Sequence, residues 1–263
     1  MCKLIPPPPA QHKMPRQYKS LPRVFVEPSL VAGTTVELGR EQANHLVSVL
    51  RLKEGDAAVL FNGRDGAWIA KLTHAGKKSA TLATQTQLAP QTPPSDLWFG
   101  FAPLKTGRLD YVVQKATEMG AGVIQPVLTD YTQVRRLKDD KLQAYALEAA
   151  QQCEVLSLPR IDPEVELRPL IEGWRHAHGL RRLLFADESA PSATPTDTIR
   201  GLAGLPVGLL IGPEGGFSDA ERELLLLAQD FVVPISLGPR ILRADTAAVA
   251  ALALVQAIIG DWR

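Results

Sequence analysis

The chain has 263 residues, of which 45% are hydrophobic and 22% are charged, a composition typical of a globular protein with one large or two ordinary domains. Its only cysteines, Cys2 and Cys153, exclude a disulfide framework and a four-cysteine metal site, and fit a reducing compartment. The five histidines show no metal-ligand spacing, so we expect no metal.

The charge is unevenly distributed along the chain. The net charge is +1, but residues 1–90 hold 12 Lys and Arg against 6 Asp and Glu, whereas residues 91–263 hold 17 against 22. A basic N-terminal part suits docking on a phosphate backbone, although the lysines and arginines of residues 1–20 could equally form a solvated tail.

The start of the chain lacks the apolar segment of a signal peptide, and the longest apolar stretch, residues 247–259, is too short for a membrane span. We therefore expect a cytoplasmic protein.

The first part of the chain predicts a small β domain. Residues 1–20 are Pro-rich and basic, which predicts a disordered tail. Within residues 21–90, alternating apolar runs predict strands at 23–26, 34–38, 57–61, 67–72 and 79–83, with one helix over 39–53 and a half-buried His45 in it. Asn62-Gly63 and Asp65-Gly66 predict a hairpin between the third and fourth strands. Short strands around one helix favour a small barrel.

The second part predicts an α/β domain. Residues 91–96 form the expected linker, and residues 97–263 alternate strands with helices. Strands are predicted at 97–102, 123–128 and 182–186, and helices at 108–119, closed by Gly120 as a C-cap, and at 139–152. Such alternation predicts a mostly parallel sheet.

Two Gly-Pro stretches dominate the C-terminal sixty residues. The apolar run 207–211 ends at Gly212-Pro213-Glu214-Gly215-Gly216-Phe217, and Ser218 to Glu221 spells a capping box that opens a helix. A second strand, expected at the sheet edge because of Pro234, leads into Gly238-Pro239 and a helix over 243–259. Loops at strand ends of open α/β sheets bind ligands, but neither loop has a phosphate-loop pattern, and plain turns are the alternative.

The two stretches together resemble a known family. I-G-P-E-G-G-F-S followed by L-G-P-R-I-L-R-A-D-T-A resembles the SPOUT class of knotted methyltransferases, and within it the 16S ribosomal RNA uracil-N3 methyltransferases. H-L-V-S-V-L-R-L-K-E-G-D and F-N-G-R-D-G-A-W are similar to the PUA-like domain of that family. The resemblance implies a PUA-like barrel before an α/β domain with a C-terminal trefoil knot. It also implies S-adenosylmethionine as cofactor, RNA of the small ribosomal subunit as substrate, and a homodimer formed through the C-terminal domain.

The resemblance also implies site residues. Those expected around the cofactor are Phe185, Ala186, Leu210, Gly212, Pro213, Glu214, Gly215, Leu237, Gly238, Ile241 and Leu242. Those expected to contact RNA are Arg51, Lys53, Arg64, Lys105 and Lys115, although Lys115 could instead pair with Glu118. Arg243 is expected to meet the target base or its phosphate. Asp245 is a candidate proton acceptor, and a helix-capping role for Asp245 or Thr246 is the equal alternative.

Two departures from the family pattern keep alternatives open. Asp245 stands where the family has Glu, and Gln151-Gln-Cys-Glu-Val155 stands where the family has E-Q-[CS]-x-R. The alternatives are a SPOUT enzyme that methylates another RNA position such as a ribose 2′-hydroxyl, and an inactive RNA-binding factor of ribosome assembly.

Overall fold

The computed structural model describes residues 18, 20–105, 107–134, 137, 139–190 and 194–262. The chain divides into two compact units. The N-terminal unit comprises the described residues up to 93 together with Ala150–Leu158, and the C-terminal unit comprises Pro94–Ala149 and Pro159–Arg263. The expected tail, residues 1–20, lies outside the described residues except for Tyr18 and Ser20.

The N-terminal unit is a five-stranded sheet with one helical segment. The sheet runs in the order β1-β3-β4-β5-β2, with β1 parallel to β3 and the other neighbours antiparallel. The elements are β1 (Arg23–Phe25), β2 (Thr35–Leu38), α1 (Arg40–Asn44) continued by a π-helical turn (His45–Val49), β3 (Ala57–Phe61), β4 (Ala67–Ala75) and β5 (Ala80–Ala89). All five strands were predicted, although β5 extends six residues past its expected end. The prediction for His45 is wrong, because its side chain is exposed.

The hairpin between β3 and β4 is held by a polar network. The Asn62 carbonyl accepts the backbone N–H of Asp65 at 2.8 Å, and the Asn62 amide donates to the Asp65 carboxylate at 2.7 Å. Leu30 also donates its backbone N–H to that carboxylate, at 2.7 Å. These hydrogen bonds, led by the one from Leu30 and aided by the charge of Arg64, lower the pKa of Asp65. Gly66 has φ +79°, and a Cβ there would lie 2.2 Å from the carbonyl oxygen of Ala89, so the turn requires glycine.

A segment from the second half of the chain completes the core of the N-terminal unit. Ala150 and Leu156 are buried in one cluster with Val59 and Phe61. The Gln151 side-chain carbonyl accepts the backbone N–H of Phe25 at 3.1 Å. The stretch that departs from the E-Q-[CS]-x-R pattern thus has a structural part in this unit.

The C-terminal unit is a parallel sheet covered by helices. The sheet order is β12-β10-β11-β6-β7-β8, each neighbouring pair is parallel, and β9 pairs with β7. The prediction of a mostly parallel α/β domain is confirmed, and β12, which contains Pro234, lies at the edge. The elements are β6 (Trp98–Phe101), α2 (Leu109–Glu118), β7 (Val123–Leu128), α3 (Asp139–Gln152), β8 (Arg160–Ile161), β9 (Val165–Glu166), α4 (Leu167–His178), β10 (Arg182–Ala186), α5 (Pro195–Arg200), β11 (Val207–Ile211), α6 (Asp219–Leu227), β12 (Val232–Ile235) and α7 (Ala244–Ile258).

The two faces of this sheet have separate cores. Successive strand residues point to opposite faces, so Phe99 packs in one cluster with α2 and α7, while Trp98 packs in another with Trp174 of α4. The buried Gln256 of α7 donates its amide to the carbonyl of Met119, at 2.6 Å, just after α2. This bond satisfies a carbonyl that a helix end would otherwise leave without a partner. None of the helices in the described part of the chain has the length and hydropathy of a membrane span.

Candidate functional site

The carboxyl ends of three parallel strands bring the two Gly-Pro loops together. Phe185 of β10 lies opposite Leu210 of β11, and Ala186 of β10 lies opposite Ile235 of β12. Because parallel strands end at the same edge, the loops that follow β11 and β12 flank the end of β10. We call residues 212–218 the first loop and residues 236–243 the second loop. This is the edge at which open α/β sheets bind ligands.

The first loop is fixed to the start of α6. The Ser218 hydroxyl accepts the Glu221 backbone N–H at 3.3 Å, and the Glu221 carboxylate accepts the Ser218 N–H at 3.0 Å, so the predicted capping box is confirmed. The second oxygen of Glu221 accepts the backbone N–H of Asp130, after β7, at 2.8 Å. Phe217 packs edge-on against Phe185, with ring centroids 5.9 Å apart. The loop therefore presents a fixed backbone to the edge.

An ion pair fixes the end of β10. The buried Asp187 carboxylate accepts hydrogen bonds from Nε and Nη2 of Arg222 on α6, the latter at 2.9 Å, and from the Ser189 backbone N–H at 3.0 Å. The bonds to Asp187 raise the pKa of Arg222. The Asp187 backbone N–H in turn donates to the carbonyl of Ile235 at 3.0 Å, so this residue links α6, β10 and β12. Sequence reasoning missed the pair, since its members are 35 residues apart.

The second loop borders a cavity of about 220 Å³. Its wall includes Ile241, whose side chain is 83% exposed, and Gly238, which has φ +106° and open space where a Cβ would lie. An exposed apolar side chain beside accessible backbone can pack a heterocycle while amides and carbonyls bind its polar edge. The cavity is lined by Glu188, Ala190, Ser236, Gly238, Pro239, Arg240 and Ile241.

The eleven predicted cofactor residues all lie on these strand ends and loops but differ in exposure. Phe185 and Leu210 pack in the core, so only their backbone atoms could meet a ligand. The buried residues are Phe185, Leu210 and Pro213; the partly buried ones are Ala186, Gly212, Leu237 and Leu242; the exposed ones are Glu214, Gly215, Gly238 and Ile241.

Arg243 and Asp245 lie where the second loop enters α7. Oδ2 of Asp245 is 3.7 Å from Nη2 of Arg243 and 3.8 Å from Nε of Arg108, which precedes α2. Oδ1 of Asp245 accepts the backbone N–H of Thr246 at 2.8 Å. The structure thus adds Arg108, which sequence reasoning did not name, to the predicted pair.

The five predicted RNA-contacting residues occupy different settings. Arg51, Lys53, Arg64 and Lys105 are exposed. Arg64 donates to the carbonyl of Glu27 at 2.6 Å, so part of its guanidinium has a structural role. Lys115 lies 2.6 Å from Glu118, which realises the alternative of an i,i+3 ion pair.

The protein thus has a small β unit and a parallel α/β unit, and in the latter two Gly-Pro loops flank one sheet edge, where the second loop borders a cavity. Family models of known proteins match both parts of the chain. The profile described as the RNA methyltransferase domain matches residues 91–256, and that described as the RNA methyltransferase PUA domain matches residues 38–84. The chain belongs to this RNA methyltransferase family.

Individual proteins that resemble this chain do so over nearly its whole length. The ribosomal RNA small subunit methyltransferase E of Rickettsia conorii is 31% identical over 236 residues, which cover 89% of this chain and 94% of that protein. The crystal structure of a methyltransferase of the same name from Neisseria gonorrhoeae, bound to S-adenosyl methionine, is 26% identical, with a TM-score of 0.81 and coverage of 92% of this chain and 100% of that one. A methyltransferase from Legionella pneumophila in complex with SAM is 28% identical, with a TM-score of 0.73 and coverage of 90% and 97%.

Proposed function

We propose that this protein transfers a methyl group from S-adenosylmethionine to N3 of a uridine in 16S ribosomal RNA, as a step of ribosome biogenesis. The observation that carries the proposal is the juxtaposition of both Gly-Pro loops at one sheet edge, in a chain whose relatives are named as small-subunit RNA methyltransferases and bind this cofactor. In this proposal the PUA-like part, residues 21–90, places the RNA, and residues 97–263 carry out the transfer.

The residues of the edge fit the cofactor. The exposed Ile241 offers an apolar surface for an adenine, and Gly215 and Gly238 allow close approach of a ligand to the backbone. The ends of β10 and β11 would close the remaining sides of the site. The sulfonium of this cofactor makes its methyl group readily transferable, so the protein's main task is to hold donor and acceptor in line.

The substrate sets the second task. N3 of uracil carries a proton and lies on the pairing edge, so the base must leave any stack before it can react. Loss of that proton to solvent water makes the ring anionic, and a guanidinium placed beside it stabilises the charge until the methyl group is transferred to N3. Arg243, at the entrance to α7, is our candidate for that contact. The phosphate backbone would be contacted by the exposed side chains of Arg51, Lys53, Arg64 and Lys105. Lys115 would contact RNA only by giving up its ion pair with Glu118.

The same proposal includes an assembly and a location. We expect a homodimer formed through the C-terminal unit, where Trp262 and Tyr111 are large apolar side chains with 54% and 41% exposure. Light scattering over a range of concentrations would show twice the chain mass, and a monomer at all concentrations would contradict it. We place the protein in the cytoplasm, where it would meet ribosomal RNA.

Calorimetric titration with S-adenosylmethionine tests the cofactor site. A Cβ at Gly215 would meet only the side chain of Tyr131, at 3.5 Å, so Gly215→Arg should fold and project its side chain into the edge. Gly173→Arg, in α4, is the matched control, because a Cβ there has open space. We expect binding by the wild type and by Gly173→Arg, and no binding by Gly215→Arg. If the folded wild type does not bind cofactor at millimolar concentration, the proposed methyltransferase activity is refuted. The remaining alternative would then be an inactive RNA-binding factor of ribosome assembly.

Nucleoside analysis then identifies the methylated atom. Small subunits from cells that lack this protein would be incubated with the enzyme and cofactor, and the RNA would be digested and separated. We expect 3-methyluridine. A 2′-O-methyl nucleoside would assign the alternative ribose chemistry.

A further inference from the structure

Two arginines and one aspartate meet where α2 and α7 begin. Arg108 is the residue before α2, Arg243 is the residue before α7, and Asp245 lies in the first turn of α7. The same oxygen of Asp245 is 3.8 Å from the Arg108 guanidinium and 3.7 Å from that of Arg243. We call these three residues the arginine cluster.

The electrostatics of the arginine cluster favour an anion. A helix N-terminus carries about half a positive charge, so an arginine at this position opposes the helix dipole. Here two helix N-termini and two guanidiniums lie beside two carboxylates, Asp245 and, in the first turn of α2, Asp110, so the two helix N-termini leave a local excess of positive charge. The packing of α2 against α7 keeps the two N-termini together, because both helices contribute to one core.

The contacts within the cluster leave the arginines able to bind something else. Distances of 3.7 and 3.8 Å exceed those of hydrogen bonds, so neither guanidinium has its donors aligned on Asp245. The Arg243 side chain is 62% exposed and that of Arg108 is 36% exposed, whereas that of Asp245 is 17% exposed. The carboxylate therefore faces inward and the cations face outward.

We propose that Asp245 is a positioning residue that holds Arg108 and Arg243 side by side, and that Arg108 is a second anion-binding residue for the target nucleotide. This inference rests on the proposed function. The anionic group is either a phosphate beside the target base or the uracil ring as it loses its proton. In this inference Asp245 is not the acceptor of that proton, because its side chain is 17% exposed, lies behind the two guanidiniums and accepts the Thr246 backbone N–H.

The first test compares Arg108→Gln with Arg200→Gln. Arg200 is also exposed and paired with an aspartate, Asp197, so this control removes the same charge elsewhere. Binding of a uridine-containing RNA is measured against salt, and methyl transfer is measured against RNA concentration. Cofactor binding should be unchanged in both variants.

A phosphate contact predicts that Arg108→Gln weakens RNA binding roughly tenfold or more and lowers the salt slope by about 0.7. A contact to the uracil ring predicts unchanged RNA affinity and a kcat lowered roughly tenfold or more. Either result supports the anion site and names its ligand. If Arg108→Gln matches Arg200→Gln in both assays, the site is refuted.

The second test concerns Asp245. As a positioning residue, Asp245→Asn should lower kcat by roughly tenfold while the pH dependence of kcat keeps its shape, and Asp245→Glu should restore most of the rate. If Asp245 were the proton acceptor, Asp245→Asn would lose about 10²–10⁴ in kcat and the rising limb of the pH profile, which would overturn the inference. If the wild type binds RNA but transfers no methyl group, the proposed function fails. The salt dependence of RNA binding by Arg108→Gln would still show whether Arg108 contacts a phosphate.

Discussion

Replacing Arg222 measures how much its ion pair with Asp187, which fixes the end of β10, contributes to the free energy of unfolding. In Arg222→Met, the Asp187 carboxylate, 6% exposed, keeps the Ser189 backbone N–H but loses both guanidinium bonds. Breaking a fully buried pair costs about 3–5 kcal/mol. Because the Arg222 side chain is 36% exposed, water can reach the vacated side, and we expect a loss of about 2 kcal/mol in the free energy of unfolding. For a chain of this size that corresponds to a decrease of roughly 4–8 °C in Tm.

A double-mutant cycle separates this pair from general effects of the substitutions. Urea unfolding of Arg222→Met, Asp187→Asn and the double variant should give a coupling energy of about 1–2 kcal/mol, since the double variant no longer leaves a charge without its partner. The variants should also bind S-adenosylmethionine several-fold more weakly, because Asp187 orients the strand end beside both loops. A loss below about 0.5 kcal/mol in Arg222→Met, or additive single effects, would refute the reasoning.

Three further predictions concern stability. Gly66→Ala should cost about 2 kcal/mol more than Gly55→Ala in urea unfolding, because both positions have positive φ but only Gly66 would place its Cβ against backbone; equal losses would contradict the clash. Since the native pKa of Asp65 is lowered, its hydrogen bonds stabilise the fold above the unfolded pKa of about 3.9, and this contribution is lost as the pH falls through the native pKa. Asp65→Asn should therefore destabilise more at pH 7 than at pH 3, and a pH-independent difference would exclude this linkage. Gln256→Leu should cost about 1–3 kcal/mol in thermal or urea unfolding, because the Met119 carbonyl loses its donor, and an unchanged stability would show that another group satisfies it.

Local patterns were enough to predict most elements of the fold. The limits of β7, α3 and β10 agree with the predicted ranges 123–128, 139–152 and 182–186, because each is a long periodic or apolar run bounded by breakers. Helix α4 was not predicted, although Leu167, Leu170, Ile171 and Trp174 carry a helical spacing and are all buried. That signal was available in the sequence.

The candidate site was predictable only in part. Both Gly-Pro loops could be placed at strand ends from the sequence, since parallel strands share an edge. The partners of the charged residues could not, because Arg108 and Asp245, or Asp187 and Arg222, meet only when distant strands and helices pack. The exposure of Ile241 beside a cavity also depends on tertiary structure, since an isoleucine in an apolar stretch is usually a core residue.

The crossing of Ala150–Leu158 into the N-terminal unit has a consequence for the order in which the protein forms. When synthesis has reached residue 93, the cluster around Val59 and Phe61 still lacks Ala150 and Leu156. At 5–20 residues per second, the missing segment is made roughly 3–13 s later. The part of the chain that emerges first must therefore wait, with apolar side chains uncovered, until the whole first stretch of the other unit, Pro94–Ala149, has been translated. A fragment cut at residue 93 would keep that exposed surface permanently.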